Sequence, residues 1–160
     1  MSVSPIPEGY HSVTAYVIVP DAIEAIAFYE KAFGATKVMH MPGPGGQGTM
    51  HAEIRIGNSH VMLSDENPAW EMKGAGTLGG SPVGFMVYLE DCDAAFDKAV
   101  AAGCEVKFPL SDQFWGDRMG KVVDPFGLEW SLATHKEDVP PEEMAGRQQK
   151  WLEEMQQANG

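Results

Sequence analysis

An α+β chain of two successive strand-helix-strand-strand-strand modules is the fold class the sequence predicts. Three observations predict it. One strand-to-helix phrase occurs twice: Tyr16-Val-Ile-Val-Pro-Asp21 runs into Ala22–Gly34, and Val87-Tyr-Leu-Glu-Asp91 runs into Cys92–Gly103. Asp21 and Asp91 stand 70 positions apart, which leaves each half room for one strand-helix unit and further strands. Met50–Ile56 alternates strictly between apolar and polar residues, the period of a half-buried strand.

Each element has a local cause. Tyr10–Val19 is rich in aromatic and β-branched residues and reads as the first strand, with Val13, Ala15, Val17 and Val19 toward the helix and Thr14, Tyr16 and Ile18 away from it. Asp21-Ala-Ile-Glu24 is a capping box, Ala22, Ile26, Tyr29 and Phe33 share one helical face, and Gly34 supplies the stop. Met41-Pro-Gly-Pro-Gly-Gly-Gln-Gly48 reads as a mobile loop, because its glycines and prolines resist regular structure. In Met50–Ile56 the polar face carries His51, Glu53 and Arg55, and Gly57-Asn58 turns the chain into a strand over His60–Ser64.

Residues 67–82, with Pro68, Gly74, Gly76, Gly79, Gly80 and Pro82, read as a linker between module one (about 8–66) and module two (about 83–135) of one domain spanning 1–160. In the second half Asp91 caps a helix whose Phe96, Ala99 and Val100 face inward and which ends at Gly103. Val83–Leu89, Glu105–Pro109, Lys121–Val123 and Leu128–Ala133 read as strands, and Asp124-Pro-Phe-Gly127 as the turn before the last. Pro140-Pro-Glu-Glu-Met144 opens a final helix, about 140–157, whose sparse apolar positions Met144, Trp151, Leu152 and Met155 suit the outside of the core or a partner subunit.

The bulk properties narrow the function classes. At 160 residues the chain buries enough surface to fold without disulfides or a structural metal. Cys92 and Cys104 bracket the second helix, about 18 Å of chain, so they read as free thiols of a reducing compartment. No N-terminal basic segment precedes an apolar run and no stretch approaches about 20 apolar residues, so a cytoplasmic protein is expected. A net charge of −12 opposes nucleic acid and anionic membrane surfaces and favours a cationic ligand. No Ser-His-Asp order, phosphate-binding glycine loop or cysteine-histidine metal spacing is present.

Three segments together resemble the vicinal oxygen chelate superfamily, the glyoxalase, bleomycin-resistance and extradiol dioxygenase group, in its PhnB-like branch. They are Val13–Asp21 with Ala27-Phe-Tyr-Glu-Lys-Ala-Phe-Gly34, then Trp115-Gly-Asp-Arg118, then Asp124-Pro-Phe-Gly-Leu-Glu-Trp-Ser-Leu-Ala-Thr-His135. The resemblance covers roughly residues 8–135. It implies two βαβββ modules whose mixed sheets curve into a cup-shaped, open, barrel-like form, completed or shared in a homodimer. It also implies a divalent ion, in metalloenzyme members, on the first and last strands of the modules. The corresponding positions here are Thr14, Gly84, Ser131 and Met62 or Ser64, which lack the donors such an ion needs, so no metal and no cofactor is expected.

Strand parity places His51, Glu53, Arg55, His60, Met62, Met86, Tyr88, Glu129 and Ser131 with Tyr16 on the cup side. His51, Glu53, His60 and Glu129 carry metal-donor atoms, but nothing in the sequence fixes their convergence. Phe114-Trp115-Gly-Asp117-Arg118 is the most distinctive local cluster: an aromatic pair and a charged pair suit a ligand rim, and equally a turn plugged by Trp115. The expected function is a metal-free small-molecule-binding protein, with Tyr16, His51, Glu53, Arg55, Trp115, Arg118 and Glu129 around an aromatic or cationic ligand. Resemblance to drug-sequestering resistance members implies a resistance-like binder. The alternative is an enzyme: a metal-dependent lyase, isomerase or dioxygenase, or an acid-base catalyst in which Glu129 or Glu53 takes a proton while Arg118 or Arg55 stabilises the oxyanion.

Overall fold

A computed structural model describes residues 3–158, so Met1 and Ser2 of the N-terminal segment read above lie outside the described residues. Module one comprises β1 (Ala15–Val19), α1 (Ala22–Phe33), β2 (Thr36–Pro42), β3 (Thr49–Ile56) and β4 (Ser59–Asp65). A one-turn helix α2 (Ala75–Leu78) lies between the modules. Module two comprises β5 (Gly84–Tyr88), α3 (Cys92–Ala102), β6 (Glu105–Asp112), β7 (Asp117–Val123) and β8 (Glu129–His135), and α4 (Pro141–Ala158) follows. The order β1-β4-β3-β2 in one four-stranded sheet repeats as β5-β8-β7-β6 in the other. In each, the first and last strands run parallel and the remaining pairs antiparallel. The two mixed sheets are not closed into a barrel.

Both helices start as their sequences dictate. Asp21 is extended at φ −143° and accepts the Glu24 N–H at 3.0 Å, while Asp91 does the same for Ala94 at 3.0 Å. Gly34 at φ 67° and Gly103 at φ 124° end them in backbone conformations that a side chain would strain. Ala22, Ala25, Ile26 and Tyr29 of α1 are buried, and with Phe96 and Ala99 of α3 they join one hydrophobic cluster fed by both sheets. The two helices pack on each other and on the inner faces of the sheets: Tyr29 and Phe33 of α1 reach the β8 ring of Trp130. The opposite sheet faces are left for other work.

Several boundaries differ from the sequence expectation. The strand begins at Ala15, and Val13, expected toward the helix, is 88% exposed because it precedes the ladder. Tyr10 instead stacks on His60 with ring centres 4.1 Å apart. The loop 41–48 is shorter than it reads: Met41 and Pro42 end β2, and a 3-10 turn occupies Pro44–Gly46. The linker carries ordered pieces, including a 3-10 turn at Pro68–Trp70 and α2. Val100 points outward on α3, and Cys92, one turn before Phe96, takes the buried position. Both cysteines are free and buried. Among the described residues no helix is long and apolar enough to cross a membrane.

Candidate functional site

The outward faces of the two sheets carry the chemistry. On the first, β-pairing aligns Tyr16 with Met62, Met62 with Glu53 and Glu53 with Met39 across all four strands. On the second, Met86, Ser131, Lys121 and Phe108 align in the same way. Tyr16, Met86, Tyr88 and Phe108 remain largely exposed, although large apolar side chains are usually covered.

Glu53 anchors the first face. It is 7% exposed and receives the Tyr10 hydroxyl and, at 3.0 Å, His51 Nε2. His51 Nδ1 lies 3.1 Å from the Tyr16 hydroxyl. Burial pushes the Glu53 carboxyl up, but hydrogen bonds from Tyr10 and His51 and the nearby His51 and His60 outweigh it and hold it below its ordinary value. An ionised Glu53 only accepts, so His51 presents Nε2–H to it and turns Nδ1 to the Tyr16 hydroxyl as an acceptor. Tyr16 also lines a cavity of about 310 Å³, with Ile18, Lys73, Leu78, Val83 and Phe85 among its walls.

Asp117 anchors the second face in a parallel way. It is 4% exposed and receives Tyr88 and Trp115 Nε1, each at 2.9 Å on Oδ2, and His135 Nδ1 at 2.7 Å on Oδ1. Burial raises its proton affinity, while the bonds from His135, Tyr88 and Trp115 more than reverse this and hold the carboxyl low. His135 in turn is pushed up by Asp117 and then by Asp138, which lies 3.0 Å from its Nε2.

The structure thus brings Tyr16, His51 and Glu53 into one chain of contacts. Arg55 is exposed on β3 and pairs in register with His60. Glu129 lies on the other sheet, bonded to Lys107 and to Lys121 at 3.4 Å, and Lys107 above all, with help from Lys121, holds its carboxyl down against the opposing effect of burial. Trp115 meets Phe114 edge-on at 5.0 Å and serves Asp117. Arg118 is turned to α3: its Nε and Nη2 grip Asp93 at 2.7 Å each, and Nη1 reaches Asp112 at 3.2 Å. The charged pair expected within Asp117-Arg118 is therefore two separate contacts on opposite sides of β7.

Tyr10 and His135 enter the site without a sequence prediction, and Asp117, expected as the charged partner of Arg118, is instead the acceptor for Tyr88, Trp115 and His135. Equal steps outward from the Asp124–Gly127 turn pair Asp117 with Thr134, one residue short of its observed partner His135, because the ladder closes on Leu128 and not on Gly127. Nothing comparable announces Tyr10, which reaches Glu53 from outside any strand.

Comparison with known proteins decides the family. A family model described as the Glyoxalase/Bleomycin resistance protein/Dioxygenase superfamily matches residues 10–132. The chain belongs to this superfamily. Superfamily relatives include an uncharacterized protein of Mycobacterium tuberculosis, 41% identical over 138 residues that cover 83% of this chain and 79% of the relative. Protein YjdN of Escherichia coli is 28% identical, covering 71% and 88%. Among solved structures, the Arabidopsis thaliana gene product At5g48480 superposes with a TM-score of 0.62 at 26% identity, covering 78% of this chain and 98% of that one. TioX from Micromonospora shares the fold at a TM-score of 0.60 and 22% identity, covering 81% and 100%.

The metal site of metalloenzyme superfamily members does not fit these residues. Met62 lies in register between Tyr16 and Glu53, and Ser131 between Met86 and Lys121. Thioether, hydroxyl and glycine hydrogen cannot replace carboxylate or imidazole donors. Among the described residues no group of three or more His, Cys, Asp or Glu side chains is placed to hold an ion, and Glu129 is on a different sheet from His51, Glu53 and His60.

Proposed function

We propose that this chain is a cytoplasmic, metal-free and cofactor-free small-molecule-binding protein that holds an aromatic or cationic compound at Tyr16, where the outward face of the first sheet meets a cavity between the modules. The observation that carries the reading is the cavity of about 310 Å³ walled by Tyr16, Ile18, Val83 and Phe85, a volume at the lower end of small-ligand sites. Aromatic and aliphatic walls bury the ligand, and the Tyr16 ring offers its π face to a cation. The net charge of −12 adds a long-range pull on cations.

A homodimer completes the reading. In one chain α1 and α3 occupy the inner faces of both sheets, so the outward faces of the two modules need a second copy to be covered. Light scattering on the purified full chain should give twice the mass of one chain.

The test is a thermal-shift series with compact aromatic cations, their neutral analogues and aliphatic anions. Stabilisation by the first two groups, reduced on Tyr16→Ala, is expected; stabilisation by none of them overturns the binding role. Elemental analysis of untagged protein addresses the enzymatic alternative. One transition-metal ion per chain, lost on His51→Ala, would replace this proposal with a metal-dependent lyase, isomerase or dioxygenase.

A further inference from the structure

The four tyrosines divide by what receives their hydroxyl proton. Tyr10 donates to Glu53, Tyr29 to Asp124 and Tyr88 to Asp117, all carboxylates. Tyr16 alone among the described tyrosines is paired with an imidazole, His51 Nδ1 at 3.1 Å. The difference is chemical. A carboxylate is too weak a base to take a phenol proton and pins it in place: the bonds to Glu53 and Asp117 push the phenols of Tyr10 and Tyr88 up, and burial first, then Asp124, does the same for Tyr29. A neutral imidazole can take that proton, the more so when a buried anion stands ready to neutralise the imidazolium.

We propose that Tyr16, His51 and Glu53 form a proton relay, with Tyr16 as the catalytic proton acceptor for a conjugated or aromatic ligand carrying a weakly acidic hydrogen. Exposure falls along the relay in the order such a device needs. Tyr16 is 46% exposed, while the side chains of His51 and Glu53 are 24% and 10% exposed. Tyr10 holds the second Glu53 oxygen, so the carboxylate is fixed from both sides and His51 is fixed by it. The arrangement has the logic of a nucleophile, a base and an orienting acid, with a phenol in the first place.

The step balances without any added reagent. As the ligand's acidic hydrogen passes to Tyr16 Oη, the hydroxyl proton of Tyr16 passes to His51 Nδ1. The products are the ligand's conjugate base and an imidazolium facing Glu53. This inference deepens the ligand-face reading by giving the face an acid-base centre.

The relay predicts an intrinsic reactivity that needs no natural ligand. With p-nitrophenyl acetate, Tyr16 Oη attacks the acetyl carbon, its proton goes to His51, and nitrophenolate leaves. Peptide mass spectrometry then reads the acetyl group on each tyrosine of the full-length chain. Acetylation of Tyr16 at least about tenfold faster than of Tyr88 is expected, since a positioned general base contributes about a hundredfold or more. Tyr88 is the internal control, because it is more exposed yet its proton is held by Asp117.

His51→Gln should bring Tyr16 down to the Tyr88 rate, with an unchanged thermal melt showing that the fold persists. Tyr16 reacting no faster than Tyr88, or equally fast in His51→Gln, overturns the relay. The comparison within the unaltered protein stands even if a variant misfolds. A chain that binds aromatic ligands but shows no Tyr16 preference loses the relay and keeps the binding role.

Discussion

A single buried carboxylate, Asp124, ties the two halves together. It is 4% exposed and accepts the Tyr29 hydroxyl of α1 at 2.8 Å, Trp130 Nε1 of β8 at 2.9 Å, and the backbone N–H groups of Phe126 and Leu128 at 2.9 Å each. Burial pushes its carboxyl up, and the four donors work against that. Tyr29→Phe leaves three donors in place and should cost about 1 kcal/mol in urea unfolding, whereas Asp124→Ala orphans four buried donors and should cost about 3 kcal/mol or more. Equal losses for the two would mean that the carboxylate is not the hub. His135 gives a residue-scale test of charge. With Asp117 as its main partner it should titrate above its ordinary value of 6.5, and Asp117→Asn should move it back, as followed by its imidazole proton NMR signals. The sign for stability follows from the raised value: the contribution of His135 is complete below pH 6.5 and disappears as pH rises through the folded-state pKa. Asp117, held low, contributes above its ordinary 3.8 and loses that contribution as pH falls through its depressed value. The pair therefore stabilises most between those limits.

Between elements, the contact of α3 with β7 depends on a missing side chain. A Cβ on Gly120 would come within 2.5 Å of the Phe96 ring and 3.1 Å of Leu110. Gly120→Ala should lower stability by about 1–3 kcal/mol, and a second substitution, Phe96→Leu, should return part of the loss by making room. No recovery in the double variant would place the strain elsewhere. The helices were legible because each carries its own signals: Asp21 and Asp91 cap, and Gly34 and Gly103 stop. β2 was not, because all but one of its residues are exposed and it lacks an inward apolar alternation; its partner β3 holds it by backbone pairing. Val100 shows the same limit from the other side. Its helical position is readable, but which side of α3 meets the sheet is set by the approach of β7 and β8.

Across the whole molecule α4 stands apart. It has no buried residue, and its contacts with the rest of the chain include the Trp151 ring against Phe114 at 5.6 Å and Arg147 on Glu137. A chain ending at 139 should keep both sheets, with its far-ultraviolet spectrum changed only by the lost helix and its melting temperature lowered by a few degrees at most. A cooperative collapse would show that α4 is part of the core. The same outward faces that α4 leaves uncovered carry the proposed ligand site and the proposed contact with a second copy.

The sequence by itself determined the doubled module, the ends of α1 and α3, the Asp124 turn and the alternation that puts Tyr16, His51 and Glu53 on one side. These are local properties, written in capping residues, glycine positions and the two-residue period of strands. Only the tertiary structure decided which polar groups meet. Tyr10 and Glu53, Tyr16 and His51, and Arg118 and Asp93 are distant in sequence, and their contacts depend on strand register and helix docking. Parity tells a side chain which face to take, but the neighbour it finds there is chosen by how far each strand has slid and where the next layer lands.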